Sequence, residues 1–487
     1  MDAQTWNELA WGFLRSGQAD LALEHARRAH EMSRSNVEYL NTLGVAYGET
    51  GQLELAEATF RKALKRKPAF VDALVNLAKS LEKQEKLPEA RKLFERALAI
   101  DPGFPKLAAN LAKIHRDCGE TERARSLLER SKNNIDAQDL VMALAECEFD
   151  LGNKDRALEH LRVAVSEHAD WKLARNSFAH MLLSTAHWRE GWIEYVGRRN
   201  LFDPRPTQIP APLPLRLEGR HILLRGEQGI GDVLFFLRFA PLLSERGARL
   251  TLACEKKLLS VLGKNAFLEA VREAREEDAA DPQFDYRLWT GDLPALVDAV
   301  QTPPPWRFVV NEGDQRAAGQ RLAALGPPPY LAVTWRAGTD TARGREFGLE
   351  RTTLTKSVPP ALLGAALCGW PGTVILLQRG ARPQDGAEFA AGFAAPFHDL
   401  SALGEDLRAL LAVLFVLDEY VTVSNTNVHL LAGIGRTARV LVPFPAEWRW
   451  MRGEAGSPWF PDFPVYRQSV SRDWSEALAR LRADLLR

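Results

Sequence analysis

The chain is 487 residues long, 46% hydrophobic and 26% charged, with Lys plus Arg and Asp plus Glu at 63 each. That length exceeds a single core and predicts two to four domains, the composition excludes a disordered chain, and the even charge argues against bulk nucleic-acid binding, which needs a net basic surface. The opening residues show no basic stretch leading into an apolar one, no run of about 18 apolar residues occurs anywhere, and Cys118, Cys147, Cys254 and Cys368 lack metal-like spacing, so the expectation is a cytoplasmic protein with reduced thiols and no membrane span.

The first 200 residues repeat. Leu40, Leu43, Gly44, Tyr47, Ala56, Phe60, Ala63 and Pro68 return 34 residues later as Leu74, Leu77, Ala78, Leu81, Ala90, Phe94, Ala97 and Pro102. The next step gives Ala108, Leu111, Ala112, His115, Ala124, Leu128 and Ser131, and one step back gives Trp6, Leu9, Ala10, Phe13, Ala22, Ala26 and Ala29. A further unit, one residue out of step, carries Leu144, Ala145, Gly152, Ala157, Leu161 and Ala164. Period and residue size recur together, and the pattern resembles the tetratricopeptide repeat. Each unit then predicts two antiparallel helices. Small residues allow close approach, large ones fill the space between units, and Pro68 and Pro102 end the second helices. Such an array offers a concave face to an extended protein segment, or serves as a spacer or a self-association surface. At 176–200 the small-residue pattern gives way to His187, Trp188, Gly191, Trp192 and Tyr195. This predicts a capping helix pair that closes an array spanning 1–201, its aromatics gluing the array to the next domain.

Five prolines between 202 and 221 predict an extended linker over 202–220. Strand–helix alternation comes next. Strands are expected at 221–225, 248–254 and 284–289, then at 330–335, 372–378, 419–424 and 438–443. Short apolar strands between helices imply parallel sheets. The two series predict two doubly wound domains, 221–326 and 327–472, with a cleft between them and a closing helix at 473–487.

The stretch Leu223–Phe236, LLRGEQGIGDVLFF, reads as strand, tight turn and helix. Gly226, Gly229 and Gly231 leave room for the backbone or a ligand, with Gln228 among them. Asp232 falls at the helix start, beyond the carboxyl end of the strand, where open α/β sheets bind ligands. No Gly-Lys-Ser/Thr comes after it, and Leu234 stands where a dinucleotide fingerprint needs its third glycine. Taken alone, Asp232 reads as a helix cap. In the second series a strand ending at Ser424 leads into Asn425, Thr426 and Asn427, opening a helix that holds His429. A polar helix start is a ready phosphate site. Beyond it stand Trp448, Arg449, Trp450 and Trp459, as core packing or as the wall of a sugar or base pocket.

These stretches in this order, GEQGIGD, LLQRG at 376–380, SNTNVHLLAGIG, and EWRW with SPWFP and YRQ behind it, resemble bacterial proteins that join tetratricopeptide repeats to a heptosyltransferase-like glycosyltransferase of the GT-B architecture. The resemblance covers nearly the whole chain. It implies an acceptor in the N-terminal half of the cleft, a nucleotide-sugar substrate in the C-terminal half, no cofactor and no metal. It implies Asp232 as general base for an inverting displacement, with Gly229, Gly231 and Gln228 in the acceptor turn. The leaving diphosphate would meet Asn425, Thr426, Asn427, His429, Lys356, Arg336 and Gln378, with Arg343, Arg345 and Arg351 as further cations. The chain departs from the family pattern in having Asn425–Thr426 where relatives carry aspartate–threonine, and His429 one position early. Gln378 also fits a structural hydrogen bond, and His429 a half-buried packing role. The acceptor implied is a protein, flagellin or another surface protein, held by the repeats. A glycan or lipopolysaccharide acceptor, and a non-catalytic scaffold that keeps a degenerate transferase fold, are the alternatives. Self-association through the repeats stays open.

Overall fold

The computed structural model describes the chain apart from residues 85, 105, 202–212, 228, 264–265, 280, 338–355, 383, 454–455 and 487, and apart from the side chains of 199–201 and 279. It divides into two compact units, Met1–Ala164 and Val165–Arg487.

The first unit is all helical. Its helices pair as Ala3–Arg15 with Ala19–Met32, Val37–Glu49 with Leu53–Arg66, Val71–Lys83 with Leu87–Ile100, and Leu107–Asp117 with Thr121–Ser131. Ala137–Asp150 and Lys154–Glu167 follow, and the second of them ends past the unit boundary. Asn36 and Asp136 cap their helices through their side chains. The repeated small positions act as the spacing implies. Ala56, Ala90 and Ala124 are fully buried, and a Cβ on Gly44 would stand 2.5 Å from the Phe60 ring. Phe60 and Phe94 fill the gaps between pairs. Each buried ring adds roughly 1.5–3 kcal/mol. Ion pairs join successive pairs, Lys113 to Glu82 at 2.5 Å and Arg91 to Glu120 at 2.8 Å.

The second unit holds two parallel sheets. One contains β1 (His221–Arg225), β2 (Arg249–Cys254), β3 (Ala270–Glu273) and β4 (Tyr286–Trp289), in the order β3-β2-β1-β4. The other contains β5 (Tyr330–Thr334), β6 (Thr373–Leu376), β7 (His398–Asp399), β8 (Glu419–Val423), β9 (Arg439–Val442) and β10 (Val465–Arg467). Its order is β10-β9-β8-β5-β6-β7, and every pairing is parallel. The order therefore reverses between β1 and β4 in one sheet and between β5 and β8 in the other. At such a switch point the loops leave in opposite directions and open a crevice beyond the strands' carboxyl ends. The seven expected strands form within two residues of their expected limits. The three strands that the sequence did not signal, β3, β7 and β10, are edge strands of two to four residues, too short for a pattern.

Two expectations about boundaries are corrected. The helices Lys172–Ser184 and Trp188–Tyr195 belong with the sheets rather than with the repeats, so the division falls at 164/165 and not at 201. The cause is aromatic packing: Trp192 is 1% exposed and meets Phe236, Phe239, Trp448 and Trp459 edge-on. The supposed linker is also in part core. Residues 202–212 lie outside the described residues, but Leu213 and Leu217 are buried in the main apolar cluster, and Leu217 N–H donates to Arg246 O at 2.7 Å.

Candidate active site

The turn after β1 leads into the helix Ile230–Phe236, with Asp232 in its first turn. Asp232 Oδ2 accepts from the Gly229 N–H at 3.3 Å, so the carboxylate does cap its own helix. Its other oxygen, Oδ1, accepts from Arg449 Nη2 at 2.5 Å. Arg449 is supplied from beyond β9, in the other half of the unit. Its side chain is 8% exposed and its guanidinium lies 4.6 Å from the Phe235 ring and 4.4 Å from the Trp448 ring.

The charge chain continues. Arg449 Nη1 pairs with Glu447, and Glu447 Oε2 holds Lys356 Nζ at 2.5 Å and accepts from Ser424 Oγ at 3.0 Å. Acidic and basic side chains, Asp232, Arg449, Glu447 and Lys356, thus alternate from one switch point to the other. Burial alone would raise the Glu447 pKa; Lys356 and Arg449 overrule it and hold the carboxyl well below its usual range. Burial would lower that of Arg449, yet Glu447 and Asp232 raise it. Both sites remain charged at neutral pH.

Ser424 ends β8, and the helix Thr426–Gly433 begins directly after. This helix start touches that of Asp232. A Cβ on Gly231 would lie 3.2 Å from the His429 ring and 3.5 Å from Thr426 Cα. Gly231 therefore acts by letting two helices meet. His429 packs edge-on against Phe235 and Phe460, at ring-centre distances of 5.9 and 5.3 Å. Burial, with Arg449 next, pushes its pKa well below the usual histidine value, so the ring is neutral. Its buried Nδ1 has no partner among the described residues.

Other candidate residues turn elsewhere. Asn425 Oδ1 accepts from the Asn427 N–H at 3.0 Å while its Nδ2 donates to Thr422 Oγ1 at 2.8 Å, which makes it the helix cap. The Asn427 amide donates inward to the Tyr420 hydroxyl at 2.8 Å and the residue is buried, so its side chain is corrected from ligand contact to core. Gln378 is corrected likewise. It is 2% exposed, its Oε1 accepts from the Trp335 and Arg336 N–H groups at 3.0 and 2.9 Å, and its Nε2 donates to Arg336 O and Arg379 O. It clamps the ends of β5 and β6 together and has no capacity left for a ligand. Arg336 turns toward the Gly380 carbonyl at 2.5 Å and the Asp385 carboxylate at 3.2 Å, away from the Asp232 chain. Gln228, Arg343, Arg345 and Arg351 lie outside the described residues. Trp448, Trp450 and Trp459 are buried in the aromatic core, not displayed on a pocket wall.

Sequence reasoning missed several participants. Glu447 stands inside EWRW, where the tryptophans are the louder signal; Arg449 is read there with the tryptophans, as core packing or pocket wall, and not as a partner of Asp232, for which the Glu-x-Arg spacing was the available signal. Glu227, next to the glycines, pairs with buried Arg198 and accepts from the Gly291 N–H at 3.1 Å, tying the turn after β1 to that after β4. Arg198 also holds Asp292 at 2.9 Å. His180 and Tyr195, from the two helices that precede the sheets, stand within the electrostatic reach of Asp232 and Arg449. Tyr195 is marked in the sequence only as one of the aromatics that join the array to the next domain, and nothing in a repeat-like helix marks His180.

Fold and site together define a helical-repeat array joined to a unit of two parallel α/β sheets, with a charged, sheet-bridging cluster at the switch points. Residues 7–68, 41–105 and 81–135 match tetratricopeptide-repeat families, and the N-terminal pairs are tetratricopeptide repeats. Protein FlbA of Caulobacter vibrioides is 26% identical over 377 residues, covering 70% of this chain and 60% of FlbA. The chain thus spans about 60% of the length of the curated relative it matches. A match over 70% of the chain extends beyond the first 164 residues into the second unit. Among solved structures, a thermophilic TPR protein of Thermus thermophilus is 20% identical, with 37% of this chain and 99% of that one covered and a TM-score of 0.33. PilF of Pseudomonas aeruginosa is 17% identical over 42% and 92%, with a TM-score of 0.35. Among the described residues no helix is long and apolar enough to cross a membrane.

Proposed function

We propose that the second unit is a GT-B glycosyltransferase that moves a sugar from a nucleotide-sugar to a hydroxyl acceptor, without a metal and with inversion. The observation that carries this reading is the Asp232–Arg449–Glu447–Lys356 chain, which puts a carboxylate and two cations beside two helix starts at adjoining switch points. A nucleotide-sugar needs that set of groups. Lys356, Arg449, Ser424 and the Thr426 amide would meet the diphosphate as it gains charge. Asp232 would take the acceptor proton, the acceptor oxygen would bond to the anomeric carbon, and the nucleoside diphosphate would leave from the opposite face. The Arg449 contact keeps Asp232 aimed, and a carboxylate oxygen has lone pairs beyond those given to Gly229 and Arg449. The repeats would present a protein acceptor, flagellin or another surface protein, since such arrays commonly bind extended protein segments. In this reading the protein works in the cytoplasm.

A non-catalytic reading has its own support: Asn425 is spent as a cap, and both Asp232 oxygens already have partners. A thermal-shift panel of UDP, GDP, dTDP and CDP separates the two. The transferase reading requires at least one to raise the melting temperature in a concentration-dependent manner; a flat response across the panel sinks it.

A further inference from the structure

Glu227 stands in the Gly-rich turn between β1 and the helix Ile230–Phe236, five residues before Asp232. Its side chain is 10% exposed, and that of its partner Arg198 3%. A charge so far out of water is costly unless it is paired and hydrogen-bonded, and this one is both. Arg198 stands directly after the helix Trp188–Tyr195. Its Nη2 donates to Glu227 Oε1, while its Nη1 donates to Asp292 Oδ1 at 2.9 Å and to Tyr195 O at 3.0 Å. Glu227 Oε1 also accepts from the Gly291 N–H at 3.1 Å. The fit leaves no slack: a Cβ on Gly291 would run into Arg198 Nη2 and stand 2.6 Å from Glu227 Oε1. The turn after β1 is thus fastened to a buried cation and to the turn after β4.

That turn needs fastening. Three glycines among residues 226–231 give its backbone a wide choice of conformation. Asp232 is tied to Gly229 twice, since Gly229 N–H donates to Asp232 Oδ2 at 3.3 Å and Asp232 N–H donates to Gly229 O at 3.0 Å. Both bonds lie within one short segment, so Gly229 and the carboxylate move together. Where the carboxylate points depends on where the turn is held, and Glu227 holds it two residues before Gly229.

We infer that Glu227 is a positioning residue: anchored on Arg198 and the Gly291 amide, it holds the Gly-rich turn so that the Asp232 carboxylate stays aimed at the acceptor oxygen. This rests on the transferase reading above, and Glu227 acts through Asp232. Arg198 supplies the control, because it has a second carboxylate in Asp292. Removing either acid leaves Arg198 paired with the other, so both changes weaken the same buried cluster. Only Glu227 belongs to the turn that carries the base.

The test uses the full chain, with water as the acceptor probe. Release of nucleotide from UDP-glucose, GDP-mannose and dTDP-glucose is followed for wild type, E227A, E227Q, D292A, D232N and the double variant E227A/D232N. Melting temperatures set an assay temperature at which every variant is folded, and hydrogen exchange is read over residues 226–232. The expected result is a roughly ten- to hundredfold fall in kcat for E227A with donor KM unchanged, against a change of about twofold or less in D292A. Exchange in the turn quickens in E227A and not in D292A. E227Q, which still accepts from the Gly291 amide, recovers part of the loss. The double variant is no slower than D232N, because aiming the carboxylate adds nothing once the base is gone. Equal falls in E227A and D292A, or losses that multiply in the double variant, give Glu227 a part in folding alone and overturn the inference while the transferase reading stands. Wild-type turnover in E227A overturns it too. If wild type releases nucleotide from none of the three donors, the transferase reading falls and the inference falls with it.

Discussion

Asp232 combines two roles that looked like rivals in the sequence. One oxygen caps a helix and the other receives Arg449, so the same carboxylate that holds the turn is fixed at the crevice. Asp232→Asn keeps the shape and removes the charge. In the proposed reaction it should lower kcat by about 10²–10⁴-fold, the usual worth of a general base, while nucleoside-diphosphate affinity, measured by calorimetry, changes little. Retained turnover would remove Asp232 from the chemistry. The two histidines of the cluster make a second prediction. His180 and His429 are held neutral in the folded chain, their pKa values pushed below the ordinary 6.5 by burial. As pH falls, the unfolded chain takes up these protons first. Stability from both groups is therefore full above about 6.5 and drains as pH drops toward the folded value, about 4 for His180. Glu447, whose folded pKa is also depressed, contributes a loss only below its ordinary 4.5. Urea midpoints should therefore fall between pH 7 and 5, and fall less in H429N. A flat midpoint over that window contradicts the assignment of neutral rings.

At the scale of elements, legibility followed periodicity. Repeat helices and central strands announce themselves because small and large residues, or apolar runs, recur often enough to exceed chance. Three short outer strands do not. The site was legible where backbone geometry makes the signal: the Gly-rich turn with Asp232, and the polar start at Asn425–Asn427. It was illegible where side chains act across the fold. Arg449 meets Asp232 from 217 positions away, and no local pattern encodes that pairing. Gln378 and Asn427 failed as ligand residues because a polar side chain next to a strand end serves equally well to satisfy backbone or hydroxyl groups, and only the partners reveal which. Glycines carry an element-scale prediction. The helices Pro360–Leu367 and Asp385–Phe393 pack closely enough that a Cβ on Gly364 would stand 2.5 Å from the Phe389 carbonyl and 2.8 Å from Phe393 N. Backbone cannot yield as a flexible side chain does, so Gly364→Ala should cost about 2–3 kcal/mol. Gly12, in the helix Ala3–Arg15, has nothing within 4 Å of the same added atom. Gly12→Ala should stabilise the repeats by roughly 0.5–1 kcal/mol through helix propensity and a less free unfolded chain. Denaturant titrations of the two variants must move in opposite directions; a stabilised G364A refutes the packing argument.

For the whole molecule, the question is where one folding unit stops. A change of sequence pattern puts the break at the prolines after 201, yet compactness puts it at 164/165. The helices in dispute, Lys172–Ser184 and Trp188–Tyr195, look like a sixth repeat by length but not by what they bury. Trp192, Tyr195 and Arg198 sit among Phe236, Phe239, Trp448 and Trp459 and around the Glu227–Asp292 pair. Each aromatic ring buries about 150–250 Å², worth several kcal/mol at about 25 cal/mol per Å². Removing Arg198 also breaks its buried ion pairs with Glu227 and Asp292, a cost of about 3–5 kcal/mol where a buried pair is broken. Together these losses match or exceed the roughly 5–15 kcal/mol by which domains are stable. A chain of residues 168–487 should therefore be monodisperse, melt cooperatively, and keep whatever nucleoside-diphosphate affinity the full chain has. A chain of residues 202–487 should be insoluble or lack a cooperative transition, with its aromatic core open to a hydrophobic dye. Equal melting temperatures for the two would mean that the aromatic contacts with Trp192 add nothing to folding, and would restore the boundary at 201. Failure of the longer chain alone would mean that the sheets need the repeats before them.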